Sequence, residues 1–167
     1  MPTVRAEQPS DFEAVRNVNE RAFRRTDEAA LVDVLRDDTL LIASLVAIEG
    51  RVVGHAMFSR VWIDDASGVV PMASLAPMAV LPECQRKGIG AALIARGIEE
   101  CRAGGWPAIV VVGHTDYYPR FGFSAEAVAH LASPYAGAYF MGLDLRPGAL
   151  AHMRGRVRYP PVFDRLK

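Results

Sequence analysis

Apolar and polar positions along this chain follow two periods, near 2 and near 3.6, and the switches between them divide it into elements. Thr3 to Ala6 has the short apolar pattern of a strand. Ser10-Asp11-Phe12-Glu13 has the form of a capping box, and Phe12, Val15, Val18 and Ala22 follow at helical spacing, so a helix with those four on its buried stripe is predicted to about Phe23. A second helical pattern, Asp27 to Leu35, carries Leu31, Val34 and Leu35 as its apolar positions and presents its charges to solvent. Two β-rich runs follow, Leu40 to Ile48 and Val52 to Trp62, with Glu49-Gly50-Arg51 reading as a hairpin turn between them. Asp64-Asp65-Ala66-Ser67-Gly68 is a looser turn into a strand that ends at Val80, and its acids lack the spacing of a calcium loop.

The second half is more sharply punctuated. An apolar run, Leu75 to Leu81, passes through Pro82 into Gln85-Arg86-Lys87-Gly88-Ile89-Gly90, which opens onto a helical pattern with Ile94, Ile98 and Cys101 on one face. That helix reaches about Arg102, where Gly104-Gly105 stops it. Ala108 to Val112 is wholly apolar, as a central strand buried on both faces should be. Strand, crossover helix and strand make a βαβ unit, so the strands on either side of the helix are predicted to be parallel neighbours. A brief helix over Asp116 to Phe121 and a last strand over Tyr139 to Leu145, alternating at Phe140 and Leu143, complete the pattern. The tail, Pro147 to Lys167, is rich in Pro, Arg and Gly. No repeat or domain boundary is legible, which predicts one α/β domain spanning residues 1–167.

The glycine loop carries the chemistry. The first turn of a helix has unpaired N–H groups and the positive end of the macrodipole, so it suits an anion. Gly88 and Gly90 have no Cβ to hold a phosphate off the backbone, and Arg86 and Lys87 add two cations, so a pyrophosphate fits. The spacing excludes two familiar guests. A dinucleotide fingerprint counted from Gly88 would need a small residue where Leu93 stands, and the nucleoside triphosphate loop G-x-x-x-x-G-K-[ST] does not occur.

Composition narrows the partners. The 167 residues are 51% hydrophobic and 23% charged, normal for a globular chain, and 19 basic against 19 acidic residues give a formal net charge of zero. Nothing in that balance steers the protein to nucleic acid or to an anionic membrane. No apolar stretch reaches the ~18 residues of a membrane span, and the start lacks the order of a secretion signal, so a cytoplasmic location is expected. Cys84 and Cys101 form no zinc or disulfide pattern and are read as packing residues. No metal is expected.

Q-x-x-G-x-G after a strand ending Met78-Ala79-Val80, followed some thirty residues later by Tyr117-Tyr118-Pro119-Arg120-Phe121-Gly122-Phe123, resembles the GNAT superfamily of acetyl-CoA-dependent N-acetyltransferases over most of the chain. The resemblance implies a mixed, mostly antiparallel central sheet flanked by helices, with a parallel βαβ pair splayed around acetyl-CoA. It implies that backbone groups of Met78, Ala79 and Val80 hold the pantetheine arm, with the N–H of Ala79 or Val80 meeting the thioester oxygen. Arg86, Lys87, Gly88, Ile89, Gly90 and Ala91 would hold the pyrophosphate. Tyr118, four residues before Gly122, is the expected general acid, with Tyr117 one residue out of phase as the alternative.

The base is left open among His55, His114 and water. A histidine titrates in the right range, but neither sits in a recognisable motif. Position 84, often aromatic in the family, is Cys84 here. No cysteine or serine stands at a recognisable spacing from a base, which fits direct attack of a primary amine on acetyl-CoA in a ternary complex. The alternatives are a non-catalytic CoA or acetyl-CoA sensor module and a transferase for another acyl group. Many members of the family are dimers, and this sequence carries no interface signature for a homodimer.

Overall fold

The computed structural model describes residues 1–37 and 39–166, so the last residue of the tail, Lys167, lies outside it. The elements are β1 (Thr3–Ala6), α1 (Phe12–Phe23), α2 (Asp27–Leu35), β2 (Leu41–Ile48), β3 (Val52–Asp65), β4 (Gly68–Val80), α3 (Ile89–Ala103), β5 (Ala108–Val112), β6 (Phe140–Asp144), α4 (Ala149–His152) and β7 (Arg156–Arg158). The seven strands form one mixed sheet in the order β1-β2-β3-β4-β5-β6, with β7 on β3. Pairing is antiparallel at β1/β2, β2/β3, β3/β7 and β5/β6, and parallel at β4/β5, as the βαβ pattern requires.

The chain forms two compact units, and passes between them within β3, β4 and α3. The first holds Met1–Ser59, Ala76–Gly97 and the chain from Pro161; the second holds Arg60–Leu75 and Ile98–Pro160. In the first, β3 and α3 approach closely because each has a glycine at the contact. A Cβ on Gly97 would lie 2.1 Å from the Phe58 ring, and one on Gly54 would lie 2.9 Å from Ile89 Cγ2. Neither distance is tolerable for a real side chain, so the two glycines set how near α3, from Ile89 to Gly97, comes to β3. The second unit has its own core of Val61, Ile63, Met72, Val110, Phe140 and Leu150.

Several local expectations need correction. The reciprocal cap lies two residues upstream of Ser10-Asp11-Phe12-Glu13: the Gln8 N–H donates to the Asp11 carboxylate at 2.8 Å, and Arg5 grips that carboxylate through both oxygens at 2.7 and 3.0 Å. Phe12 is 40% exposed with the Arg36 guanidinium 3.8 Å above its ring, so Val15, Val18 and Asn19 form the buried face of α1. In α2 the inward stripe is Glu28, Leu31, Val32 and Leu35, whereas Val34, one position round the helix, is 40% exposed. The turn after β3 is shorter than the five residues expected, because Asp64 and Asp65 remain in the strand. Asp65 accepts the Ser67 N–H and hydroxyl at 2.5 Å, and Asp64 pairs with Arg158 of β7 at 2.7 Å. The tail also contains α4 and β7, which its composition had concealed.

Candidate active site

The parallel ladder between β4 and β5 is short. Ala73, Ser74 and Leu75 stand opposite Ile109, Val110 and Val111, and β4 runs on for five residues, Ala76–Val80, past that register. Pro77, in this extension, has no N–H to offer a neighbouring strand. Among the expected pantetheine-binding residues Ala79 is buried and Met78 and Val80 are half-buried. The Val80 carbonyl already accepts a hydrogen bond from Gln85 Nε2 at 3.1 Å. Gln85 therefore ties the end of β4 to the start of the glycine loop, a closing role that its place in the motif did not announce.

The loop has the geometry of an anion cradle. The amide of Ala92 donates to Gly88 O at 3.1 Å, the bond that opens α3, so the amides just before it precede the helical ladder. Arg86 and Gly88 both have positive φ, 63° and 84°, and residues 85–88 are exposed. A Cβ built on Gly88 would meet nothing within 4 Å, so the space beside this helix end is open to a ligand. Arg86 and Lys87 form no ion pair among the described residues. These features fit a pyrophosphate.

The lead-in is fixed by charge. Arg21 at the end of α1 grips both oxygens of Glu83 at 2.8 Å, and Arg51, from the β2–β3 turn, reaches the same carboxylate at 3.3 Å. The Arg21 hydrogen bonds pull the Glu83 carboxyl down to about 2, well below its ordinary value. The partners are 62 and 32 residues away in sequence, so only the charges, and not their pairing, were visible there.

Tyr118 lies in the second unit, at the start of a single 3-10 turn, Tyr118–Phe121, just past β5. Its ring packs on the backbone of Gly113, where a Cβ would come within 2.2 Å of it, and meets Phe123 and Tyr117 edge-on at 5.8 and 5.2 Å. The side chain is 9% exposed, and its hydroxyl makes no hydrogen bond to another described residue. Burial, with a smaller push from Tyr117, raises the phenol to about 12. It is protonated throughout the neutral range. Tyr117 differs, with its ring against Phe121 and under the Arg120 guanidinium at 4.8 Å.

The histidines separate cleanly. His55 is wholly buried in the first unit, with Asn19 Nδ2 3.2 Å from Nδ1 and Ser44 Oγ 2.9 Å from Nε2. Ser44 donates its proton to Glu7 at 2.9 Å, so Nε2–H donates to Ser44, and Nδ1 accepts from Asn19. Arg36 closes the chain on Glu7 at 2.7 and 3.2 Å. Burial, reinforced by Arg36, pushes the imidazole down to about 3. His55 is a neutral core residue with both nitrogens engaged. His114 is exposed, and its carbonyl receives the amides of Tyr117 and Tyr118 at 3.2 and 3.3 Å. Cys101 is buried, its thiol pushed up to about 12 by burial, and Cys84 is half-buried. Among the described residues no cluster of His, Cys, Asp or Glu could hold a metal ion, and no helix is long and apolar enough to cross a membrane.

A mixed sheet with one short parallel pair, and a glycine loop opening the crossover helix, define an α/β class of protein with open space at a helix N-terminus. The chain belongs to the GNAT acetyltransferases: the family model described as acetyltransferase (GNAT) domain matches residues 3–125. The chain is 31% identical over 167 residues to the uncharacterized N-acetyltransferase YhbS of Escherichia coli, covering 98% of this chain and 99% of that one. It is 41% identical over 117 residues to the uncharacterized N-acetyltransferase YjhQ of Escherichia coli K12, a match spanning 68% of this chain and 65% of that relative. Its fold superposes on crystal structures of YhbS in complex with CoA (TM-score 0.89, 30% identity, 99% and 93% of the two chains) and of a Brucella melitensis GNAT acetyltransferase in complex with acetyl-CoA (TM-score 0.81, 36% identity, 98% and 99%).

Proposed function

We propose that this protein, acting as one N-acetyltransferase domain, transfers the acetyl group of acetyl-CoA directly to a primary amine within a ternary complex. The observation that carries this reading is the open cradle at the start of α3, with Gly88 at φ 84° and exposed Arg86 and Lys87 beside it. Relatives crystallised with CoA and acetyl-CoA support the choice of donor.

In this reading the amides of residues 86–91 receive the pyrophosphate, and the extension of β4 past its ladder receives the pantetheine arm through Met78, Ala79 and Val80. Gln85 occupies the Val80 carbonyl, so at Val80 the N–H is the group that serves. The amine nitrogen attacks the thioester carbon, and the N–H of Ala79 or Val80 meets the oxygen as it gains charge. The C–S bond then breaks, and the Tyr118 hydroxyl donates a hydrogen bond to the departing thiolate. A phenol raised to about 12 holds its proton at neutral pH, which suits a donor that must arrive protonated. The amine's proton leaves to water or to exposed His114. His55 takes no part, with both nitrogens already bonded.

The test has two stages. Acetyl-CoA is expected to raise the melting temperature in a concentration-dependent manner while NADH and ATP do not. Initial rates across a panel of primary amines, followed by thiol release, are then expected to give intersecting double-reciprocal lines, the signature of a ternary complex. Parallel lines would mean a covalent acyl-enzyme, and an acetyl-CoA shift without thiol release for any amine would favour a sensor module.

A further inference from the structure

A cavity of about 440 Å³ opens in the second unit, lined among others by Ser124, Glu126, His130, Asp144, Leu150 and Arg154. It lies apart from Tyr118. Asp144 is in register with Ala108, the first residue of β5, whereas Tyr118 packs on Gly113, just past the last. The strand between Ala108 and Val112 rises by about 13 Å. The Asp144 wall of the cavity is therefore at the opposite end of β5 from the proposed general acid, and its Ser124 wall, paired with Gly142, lies beside the middle of that strand.

Its charges are oriented by backbone and not by one another. Asp144 Oδ1 accepts the Leu150 N–H at 2.8 Å. Arg154 Nη1 donates to the carbonyls of Ala151 and Met153 at 2.6 and 2.8 Å. His130 Nε2 reaches the carbonyls of Leu150 and Met153 at 3.0 and 3.1 Å. Three polar side chains are thus held by α4 and the residue after it, which leaves Asp144 Oδ2 and Arg154 Nε and Nη2 for a guest. The Glu126 carboxylate makes no hydrogen bond or ion pair among the described residues, and Arg154 pairs with neither acid. Two carboxylates and a guanidinium share one space without neutralising each other.

That arrangement discriminates by charge pattern. A simple cation would meet Arg154, and a simple anion would meet two carboxylates. A molecule carrying both charges a few bonds apart satisfies each side with a charge-assisted hydrogen bond. The volume lies in the range of small-molecule pockets, about 300–1,000 Å³, and accommodates an amino acid with a medium side chain. We propose that this cavity is a second binding site, separate from the reaction, for a small zwitterion of the α-amino-acid class, its carboxylate on Arg154 and its ammonium on Glu126 and Asp144. Fixing Asp144 and Arg154 on the backbone in advance lowers the entropy cost of holding such a ligand.

The full chain is titrated calorimetrically with L-glutamine, L-leucine and L-arginine, and in parallel with the carboxamide of each, which lacks the carboxylate, and the N-acetyl derivative, which lacks the ammonium. At least one amino acid is expected to bind at millimolar concentration or below, with both its derivatives weaker by about tenfold or more, the loss of one charge-assisted contact. Arg154→Ala and Glu126→Gln, both at exposed positions, are each expected to weaken it by a similar factor while acetyl-CoA affinity and melting temperature stay as they were. Three results overturn the proposal: no binding by any of the three at millimolar concentration, derivatives that bind as well as the parent, or amino-acid binding unchanged in both variants, which would move the ligand to another site.

Discussion

His55 and Tyr118 are both buried and titratable, and both lie where chemistry was expected, yet their surroundings give them opposite characters. The imidazole of His55 spends both nitrogens on Asn19 and Ser44, and its chain of partners ends on the Glu7–Arg36 pair. The phenol of Tyr118 is gripped by carbon, on Gly113, Phe123 and Tyr117, and its hydroxyl is left without a protein partner among the described residues. In both cases burial disfavours the charged form, which lowers one group to about 3 and raises the other to about 12. Burial alone therefore does not separate a reactive group from a structural one. The two differ in the state of the polar atom, satisfied by protein in the histidine and without a described protein partner in the tyrosine, and that difference is what the proposed role of Tyr118 rests on.

The comparison breaks most directly at the tyrosine. Tyr118→Phe keeps the packed ring and removes only the hydroxyl, so turnover is expected to fall on the order of 10²-fold or more with acetyl-CoA affinity unchanged. Steady-state kinetics beside a binding titration would read the two separately, and unchanged turnover would place Tyr118 with His55 as a packing residue. His55→Leu removes a partner from both Asn19 and Ser44 in a closed core. It is expected to cost about 2–3 kcal/mol in urea unfolding while kcat measured below the melting transition holds. A comparable loss of kcat would restore His55 to the chemistry.

The next effect depends on pH. A folded-state value lowered from 6.5 to about 3 means that the stability contributed by His55 is fully present above pH 6.5 and is lost as pH falls toward 3, because only the unfolded chain takes up the proton. Between pH 6.5 and 5 the wild type is expected to lose about 2 kcal/mol of unfolding free energy, and His55→Leu to lose much less. Parallel stability curves for the two proteins would contradict the buried neutral assignment. The smallest effect is steric. Gly113→Ala pushes a methyl group into the Tyr118 ring and is expected to lower kcat by about tenfold through misplacement of the hydroxyl. An unchanged kcat there would show that the ring's position is not critical.

What could be read from the sequence follows the same division. The glycine loop at Gln85 to Gly90 and the helix that it opens were legible because their requirements are local: small residues and a helix start, all within a few positions. The parallel βαβ pair was legible for the same reason. The state of His55 was not, because its partners come from residues 7, 19 and 44 and only the fold brings them together. Phe12 and Val34 were assigned inward because hydrophobicity marks what can be buried, and not which of two adjacent stripes the neighbouring element covers. The strand at Arg156–Arg158 was hidden by its arginines, one of which pairs with Asp64 across the ladder. Gln85 was read as a motif letter, and its bond to the Val80 carbonyl appears only when the chain turns back on itself.

The grip of Arg21 and Arg51 on Glu83 has a consequence for handling the protein in solution. Both contacts are solvent-exposed and electrostatic, so dissolved salt weakens them, as it weakens any attraction between the loop's cations and a phosphate. If the loop holds acetyl-CoA as proposed, ionic strength acts on that binding twice, once by shielding the charge and once by slackening the segment that leads into the loop. Acetyl-CoA affinity is expected to decline with added salt more steeply in the wild type than in Glu83→Gln, where the second of these responses has already been removed.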